Sequence, residues 1–377
     1  MKRNLNIYIA LLLIAALIFS FLTIYAFGEE EIHKLSVSAR SAVLYQPETS
    51  SFLYSKNSDV RMPMASTTKI MTALVALEEC DPSEIVQIDE RAVGIEGSSA
   101  YLKEGEELTM EELLYALLLQ SANDAAVAIA CHIGGDVPGF ALMMNEKAEE
   151  LGLENTHFTN PHGLDNEEHY TTAAELAKIA AEALKNESFR KITSTYKKTF
   201  STEERSRTYV NHNKLLRMYD GCIGVKTGFT KRSGRCLVGA AEKGGLTFVT
   251  VTLDAPSDWN DHRAMLDAGF ESLERIILAE EEEYCYKIPL LNGEADSLNV
   301  TNTEGASVIT EKSDHKLEKH LKLVRYAIAP VKEGEILGEV VFTLDGKEAG
   351  RISLIATETV LKKKEKGLFE RFLSIFN

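Results

Sequence analysis

Proline and glycine are sparse, at 8 and 24 of 377 residues, and no segment repeats with a period of roughly 20–50 residues. Collagen-like, low-complexity and solenoid architectures are thereby excluded. A content of 45% hydrophobic and 26% charged residues likewise excludes a disordered chain. Cysteine is rare: Cys80, Cys131, Cys222, Cys236 and Cys285 form an odd set without C-x-x-C spacing. That argues against a disulfide framework and against a zinc site. Each lies in an apolar stretch and reads as a small buried hydrophobe. Basic charge is in deficit, 41 Lys and Arg against 57 Asp and Glu, for a net charge of −16. A surface of that sign repels phosphate backbones and excludes nucleic acid as a partner.

One long apolar run is present. Lys2 and Arg3 precede an almost uncharged stretch from Leu5 to Phe27, and Ala26-Phe27-Gly28 places small residues at the two cleavage positions. Residues 1–28 therefore read as a cleaved export signal, with a retained membrane anchor as the alternative that their length also permits. Under either reading the rest of the chain lies outside the cytoplasm.

The remaining length suits two domains. Strands are expected at Ser36–Leu44 and Ser51–Tyr54, around a polar turn at Gln46-Pro47-Glu48. Ile70, Leu74 and Leu77 recur at helical spacing, so a helix runs from about Ser66 until Asp81-Pro82 stops it. Thr109-Met110-Glu111-Glu112 is a capping box opening a helix over Met110–Leu119, and a second apolar helix runs from Asp124 to Ile133 before Gly134-Gly135. Further helices are predicted at Pro138–Leu151 and Thr172–Leu184. A hairpin follows at Arg235–Ala240 and Leu246–Leu253, and a closing helix at His262–Ala279. Strands at both ends with helices between them predict an α/β domain with an antiparallel sheet over residues 29–279.

Beyond the charge run Glu280–Glu283, short β-rich segments at Val324–Ile328, Gly338–Thr343 and Arg351–Ala356 alternate with Glu333-Gly334 and Asp345-Gly346 turns. Residues 280–360 thus read as a small all-β domain. In the last segment, 361–377, Leu368, Phe369, Phe372, Leu373, Ile375 and Phe376 share one helical face behind Lys362, Lys363 and Lys364. This is the pattern of an amphipathic helix lying on a membrane surface, or else of one docked on its own protein.

Three short motifs carry chemistry. Ser66-Thr67-Thr68-Lys69 puts a hydroxyl at a helix start and an amine one turn later on the same face. A neutral lysine there can take the serine proton, and burial or a second nearby cation lowers its pKa toward that state. The amide of Ser66 is also placed to help hold an oxyanion. Ser121-Ala122-Asn123, between two helices, offers a proton-relaying hydroxyl and a carboxamide that grips a peptide carbonyl. Lys226-Thr227-Gly228, at the start of a strand before the hairpin, suits a substrate carboxylate, with Gly228 allowing close backbone approach. Singly each is commonplace: a capped helix, a turn, a surface lysine.

In this order, 55 and then 105 residues apart from Ser66 to Ser121 to Lys226, they match the signature of penicillin-recognising serine enzymes. The surrounding text resembles the low-molecular-mass D-alanyl-D-alanine carboxypeptidases. The resemblance lies in Met64 to Ala73, Ser121 to Ala125, Asn160-Pro161-His162-Gly163-Leu164, Asn213-Lys214-Leu215-Leu216 and Gly224 to Gly228. It covers roughly residues 35–275 and, more loosely, the β domain and the tail.

The resemblance implies a transpeptidase/β-lactamase-like α+β domain with a helical subdomain. It also implies an acyl-enzyme on Ser66, with Lys69 as base and with Ser121 and Lys226 passing a proton to the leaving amine. Asn123 would bind the substrate amide, Thr227 the terminal carboxylate, and the N–H groups of Ser66 and Phe229 the oxyanion. Stem peptides of peptidoglycan are the implied substrates and β-lactams covalent inhibitors, with no metal or organic cofactor. Lys231, Arg232 and Arg263 are further candidates at the carboxylate, and His162 with Asp165 reads as a loop-stabilising pair rather than a triad. The deacylating glutamate of a class A β-lactamase has no counterpart, because Leu153–Asp165 holds Glu154 without the usual surroundings. A catalytically silent wall-binding scaffold would lack a motif residue, and none is missing.

Overall fold

The computed structural model describes residues 35–202 and 205–364. The N-terminal apolar run, and most of the C-terminal amphipathic segment, lie outside the described residues. The chain divides into two compact units after Ser272. Among the described residues no single helix is long and apolar enough to cross a membrane.

In the first unit, β1 (Ser41–Gln46) and β2 (Ser51–Lys56) form the expected hairpin, and α1 (Lys69–Glu79) follows a 3-10 turn at Ala65–Thr68. A small β3 (Ile85–Gln87) and β4 (Glu107–Thr109) ladder precedes α2 (Met110–Leu119), α3 (Asn123–Gly134) and α4 (Val137–Glu150). Next come α5 (Ala173–Ala183), α6 (Glu187–Ser194), the β5 (Lys197–Ser201) and β6 (Ser206–Val210) hairpin, and the short α7 (Leu215–Met218). The unit ends with β7 (Cys222–Thr230), β8 (Gly234–Lys243), β9 (Leu246–Leu253) and α8 (Asp258–Ser272).

Five strands make one antiparallel sheet in the order β2-β1-β9-β8-β7, so β7 is an edge. Phe248, Val249, Val251 and Leu253 on β9 are all buried, which requires both faces to be covered; α5 and α8 pack against this strand. His262 ties α8 to it, its two ring nitrogens lying 2.6 and 2.9 Å from the hydroxyls of Thr250 and Thr252. On the helical side α2 is buried nearly all round, Met110 and Leu113–Leu119 being inaccessible, as an apolar helix at the centre of a core must be.

The capping box at Thr109 is only half made. Thr109 Oγ1 accepts from Glu112 N at 3.1 Å, but the Glu112 carboxylate turns away to Arg205, at 2.7 and 2.9 Å, and to the Tyr209 hydroxyl. Glu112 is 4% exposed, so its charge depends on that guanidinium. Arg205→Met should therefore destabilise the protein by about 3–5 kcal/mol, because it strands a buried carboxylate, whereas Arg205→Met with Glu112→Leu should restore most of the loss. Denaturant unfolding of the two variants would measure both effects.

The closing helix differs from expectation. It runs Asp258–Ser272, and the residues predicted as its last two turns form instead a strand, β10 (Leu273–Ala279). The boundary of the first domain thus falls at Ser272 rather than Ala279. A short apolar run such as Ile276-Ile277-Leu278 fits either period, and pairing with β13 (Ala306–Glu311) decides it.

The second unit is all β, as predicted. β11 (Tyr286–Leu291), β12 (Ser297–Thr301), β14 (Leu317–Leu323), β15 (Ala327–Ile328), β16 (Ile336–Leu344) and β17 (Lys347–Ala356) form a sheet in the order β14-β16-β17-β12-β11-β15. Its core centres on Ile288, Val300, Val340, Phe342 and Leu354. Asp345 and Gly346, with φ of 52° and 79°, make the tight hairpin turn expected of an Asp-Gly pair. Two expectations shrink. The strand predicted over Val324–Ile328 is only β15. Leu361–Lys364, expected in the tail helix, are non-helical, with Lys362 bridged to Gly293 and Lys363 N bonded to Asn292 O. The cysteines are all free, but only Cys236 is fully buried, and Cys285 is exposed.

Candidate active site

The site begins with a turn that L residues enter reluctantly. Ala65 has φ +47°, which swings the chain into the 3-10 turn and leaves the Ser66 side chain half-buried at the head of α1. Lys69, the first residue of α1, is fully buried, and its Nζ lies 3.1 Å from Ser66 Oγ. The same nitrogen is 2.7 Å from Asn123 Oδ1 and 2.6 Å from the His162 carbonyl. Two of these three neighbours can only accept. A neutral amine satisfies them with its two hydrogens and turns its lone pair toward the serine O–H.

Electrostatics favour that neutral form. Burial, and then the positive charge of Lys226, push the Lys69 pKa well below the 10.5 of a free lysine, while Asp124 opposes them weakly. Lys226 is itself buried and pushed down to about 7 by desolvation. Its Nζ donates to Ser121 Oγ at 3.0 Å and to the Thr227 carbonyl at 2.9 Å. Ser121, at φ +61°, sits in the short link between α2 and α3, and Asn123 is the first residue of α3. The structure thus brings Ser66, Lys69 and Asn123 into one hydrogen-bonded group and Ser121 and Lys226 into a second, coupled to the first through the charge of Lys226 on Lys69.

Lys226-Thr227-Gly228 lies on a strand, as expected, but from the middle of β7 onward rather than at its start, with Lys226 paired to Val238 of β8 and the strand's other side forming the sheet edge. The close approach that Gly228 permits is to the Ser66 turn. A Cβ there would stand 3.1 Å from both Met64 O and Ser66 N. Phe229, next along the strand, is 67% exposed. Lys231 and Arg232 are exposed just past the end of β7, and Arg263 is exposed on α8.

The loop Asn160–Asp165 supports the lysine with its backbone. Asn160 Oδ1 accepts from the N–H groups of His162 and Gly163, which aims the His162 carbonyl at Lys69. The His162 ring accepts from Leu164 N, and burial pushes its pKa down to about 3; Asp165 accepts from the Thr230 hydroxyl. Neither side chain bonds Ser66. Gly163 has φ +87°, and a Cβ on it would overlap the Ala65 carbonyl. Gly163→Ala should therefore slow penicillin acylation more than about tenfold and cost about 2–4 kcal/mol of stability, checked by stopped-flow labelling and thermal unfolding.

Asp124 is marked by the sequence only as a helix start. Buried beside the cluster, it accepts from Ala100 N, Leu102 N and Ser99 Oγ. It thereby fixes the loop whose Ser98 and Glu96 carbonyls bind the backbone and side chain of Asn123. The only cue in the sequence is an acid in the first turn of a helix; its partners lie more than twenty residues upstream.

An antiparallel sheet backed by helices, with a serine hydroxyl held against a buried lysine beside a Lys-Thr-Gly edge strand, defines the penicillin-recognising serine hydrolases. The chain belongs to the D-alanyl-D-alanine carboxypeptidase family, which it matches over residues 28–257, and residues 274–362 match the penicillin-binding protein 5 C-terminal domain. It is 36% identical to the D-alanyl-D-alanine carboxypeptidase DacF of Bacillus subtilis over 87% of each chain. It is 29% identical to DacC of Escherichia coli, over 95% of this chain and 92% of that one.

Among solved structures, penicillin binding protein 5 of Haemophilus influenzae superposes with a TM-score of 0.63 at 27% identity, covering 87% of this chain and 98% of that one. The DD-transpeptidase of Streptomyces K15 gives 0.59 at 36% identity, over 62% of this chain and 98% of that one. The protein is a serine-type D-alanyl-D-alanine carboxypeptidase, of a family that acts on peptidoglycan peptides and binds β-lactams.

Proposed function

We propose that Ser66 is the nucleophile that removes the terminal D-Ala from stem pentapeptides. The observation that carries this reading is the 3.1 Å separation between Ser66 Oγ and a lysine nitrogen whose other two neighbours are carbonyl oxygens. Lys69 takes the hydroxyl proton as the Ser66 Oγ–carbon bond forms, and the N–H groups of Ser66 and Phe229 hold the resulting oxyanion. The C–N bond then breaks. Ser121 gives its proton to the departing amine and is reprotonated by Lys226, a relay suited to a lysine whose pKa is about 7. Thr227 binds the terminal carboxylate. Asn123, with one amide hydrogen still free after its bond to Glu96 O, binds the peptide carbonyl. Water releases the acyl group by the reverse proton path. A β-lactam acylates Ser66 in the same way, but its amine stays tethered.

The chain is exported through its N-terminal run and works at the outer face of the membrane, held there by the amphipathic residues 365–377. Truncation after Lys364 should free the protein from membranes with activity intact; retention would assign the anchor to the N-terminus. The catalytic reading is tested by mass spectrometry of a pentapeptide. Loss of one alanine, blocked by penicillin that maps to the Ser66 peptide, supports it, and an adduct on any other residue would overturn it.

A further inference from the structure

The two helices that carry the catalytic residues at their starts share a second cluster at their far ends. α1 begins with Lys69 and is closed by Cys80; α3 begins with Asn123 and carries His132 in its last turn. Glu84 comes from the turn that follows Asp81-Pro82. Cys80 Sγ, a Glu84 carboxylate oxygen and a His132 ring nitrogen lie within 4.8 Å of one another, with His132 Nε2 and Glu84 Oε1 2.8 Å apart. Among the described residues no other His, Cys, Asp and Glu side chains gather this way.

We propose that Cys80, Glu84 and His132 form a binding site for one divalent cation of the zinc class, with a fourth position open to water. The donor set selects the metal: thiolate with imidazole and carboxylate suits zinc, whereas magnesium and calcium require oxygen throughout. The spacing is close to what a tetrahedral ion needs. Bonds of about 2.0–2.3 Å put donors roughly 3.3–3.7 Å apart, so the 2.8 Å His132–Glu84 pair must open by about 0.5 Å and the sulfur, within 4.8 Å of both, must settle into the same range. Half-buried Cys80 and exposed Glu84 and His132 can make that adjustment, and an ion can reach them from solvent. Cys80 and Glu84 are brought together by the cap and turn that end α1, whereas His132 reaches them from α3, a separate helix.

The site lies about one α1 length, roughly 16 Å, from Ser66, too far to take part in the chemistry. Its effect is to clip together the distal ends of α1 and α3. Cysteine spacing along the chain gives no sign of it, because only folding brings His132, 48 residues on, to Glu84.

The test is a Co2+ titration of the full-length chain, kept reduced with a phosphine, followed by displacement with Zn2+. One equivalent should bind with a sulfur-to-cobalt charge-transfer band in the near ultraviolet. Cys80→Ser should lose the band, and both it and His132→Ala should bind on the order of a hundredfold more weakly. Zn2+ should raise the thermal midpoint of the wild type and leave that of the Cys80→Ser/His132→Ala double variant unchanged. Unaltered penicillin labelling would show that the variants are folded, with Glu84→Gln as a milder substitute. Absence of the band, its persistence in Cys80→Ser, or an equal Zn2+ response of the double variant would reduce the cluster to an ordinary surface ion pair and overturn the proposal.

Discussion

Ser66→Ala is expected to abolish D-Ala release and covalent penicillin labelling together, by about 10⁴-fold or more, while leaving the fold intact. The serine oxygen is bonded to the Lys69 amine, and the lysine keeps its Asn123 and His162 partners without it. No buried charge or backbone group is stranded, so the thermal midpoint should move by the equivalent of less than about 1 kcal/mol. Reversible peptide binding should survive, since Thr227, Asn123 and the edge of β7 are untouched. Intact-protein mass spectrometry after penicillin treatment gives the answer directly. A full adduct on the alanine variant would place the nucleophile elsewhere and undo the mechanism.

Lys69→Ala should slow both acylation and D-Ala release by about 10²–10⁴-fold, the usual worth of a positioned base. Lys69→Arg should fail as completely, because a guanidinium is never neutral at working pH and cannot accept the proton. The buried lysines also give the pH profile its sign. The proposed mechanism needs Lys69 neutral, so the rate should fall as pH drops through its lowered pKa.

Stability follows linkage. Lys226 has a folded-state pKa of about 7 against 10.5 for a free lysine. Between those values the unfolded chain holds more protons than the folded one, and stability rises with pH across that window. Below about pH 7 the folded state must protonate a buried amine, and the full penalty applies. Lys226→Met removes this dependence, so its unfolding free energy should be flatter between about pH 7 and 10 than that of the wild type, as denaturant titrations at several pH values would show. An equally steep curve would mean that Lys226 keeps its charge.

The site's composition is legible in one dimension; its wiring is not. Ser66 and Lys69 declare themselves because one helical turn separates them, and Ser121 and Asn123 because they interrupt two apolar helices. The sequence offers Asn123 as a hand for substrate. In the structure its oxygen also holds Lys69. The carbonyl of His162, the second restraint on that lysine, carries no side-chain signature at all. The same division runs through the fold. Helices α1 to α5 follow from periodicity and caps to within a few residues. Leu273–Ala279 defeats such reasoning because a short apolar run fits helix and strand alike until a partner strand is present.

What the amino-acid sequence determined alone was local: periodicities, caps, tight turns, and the residue types that acyl-transfer chemistry demands at short spacing. Only the tertiary structure decided which distant carbonyls surround Lys69, where the first unit ends, and that Cys80, Glu84 and His132 meet. The physical reason is that hydrogen bonds, desolvation and ligand geometry act over a few ångströms in space, and chain separations of 48 to 105 residues say nothing about such distances until the core has packed.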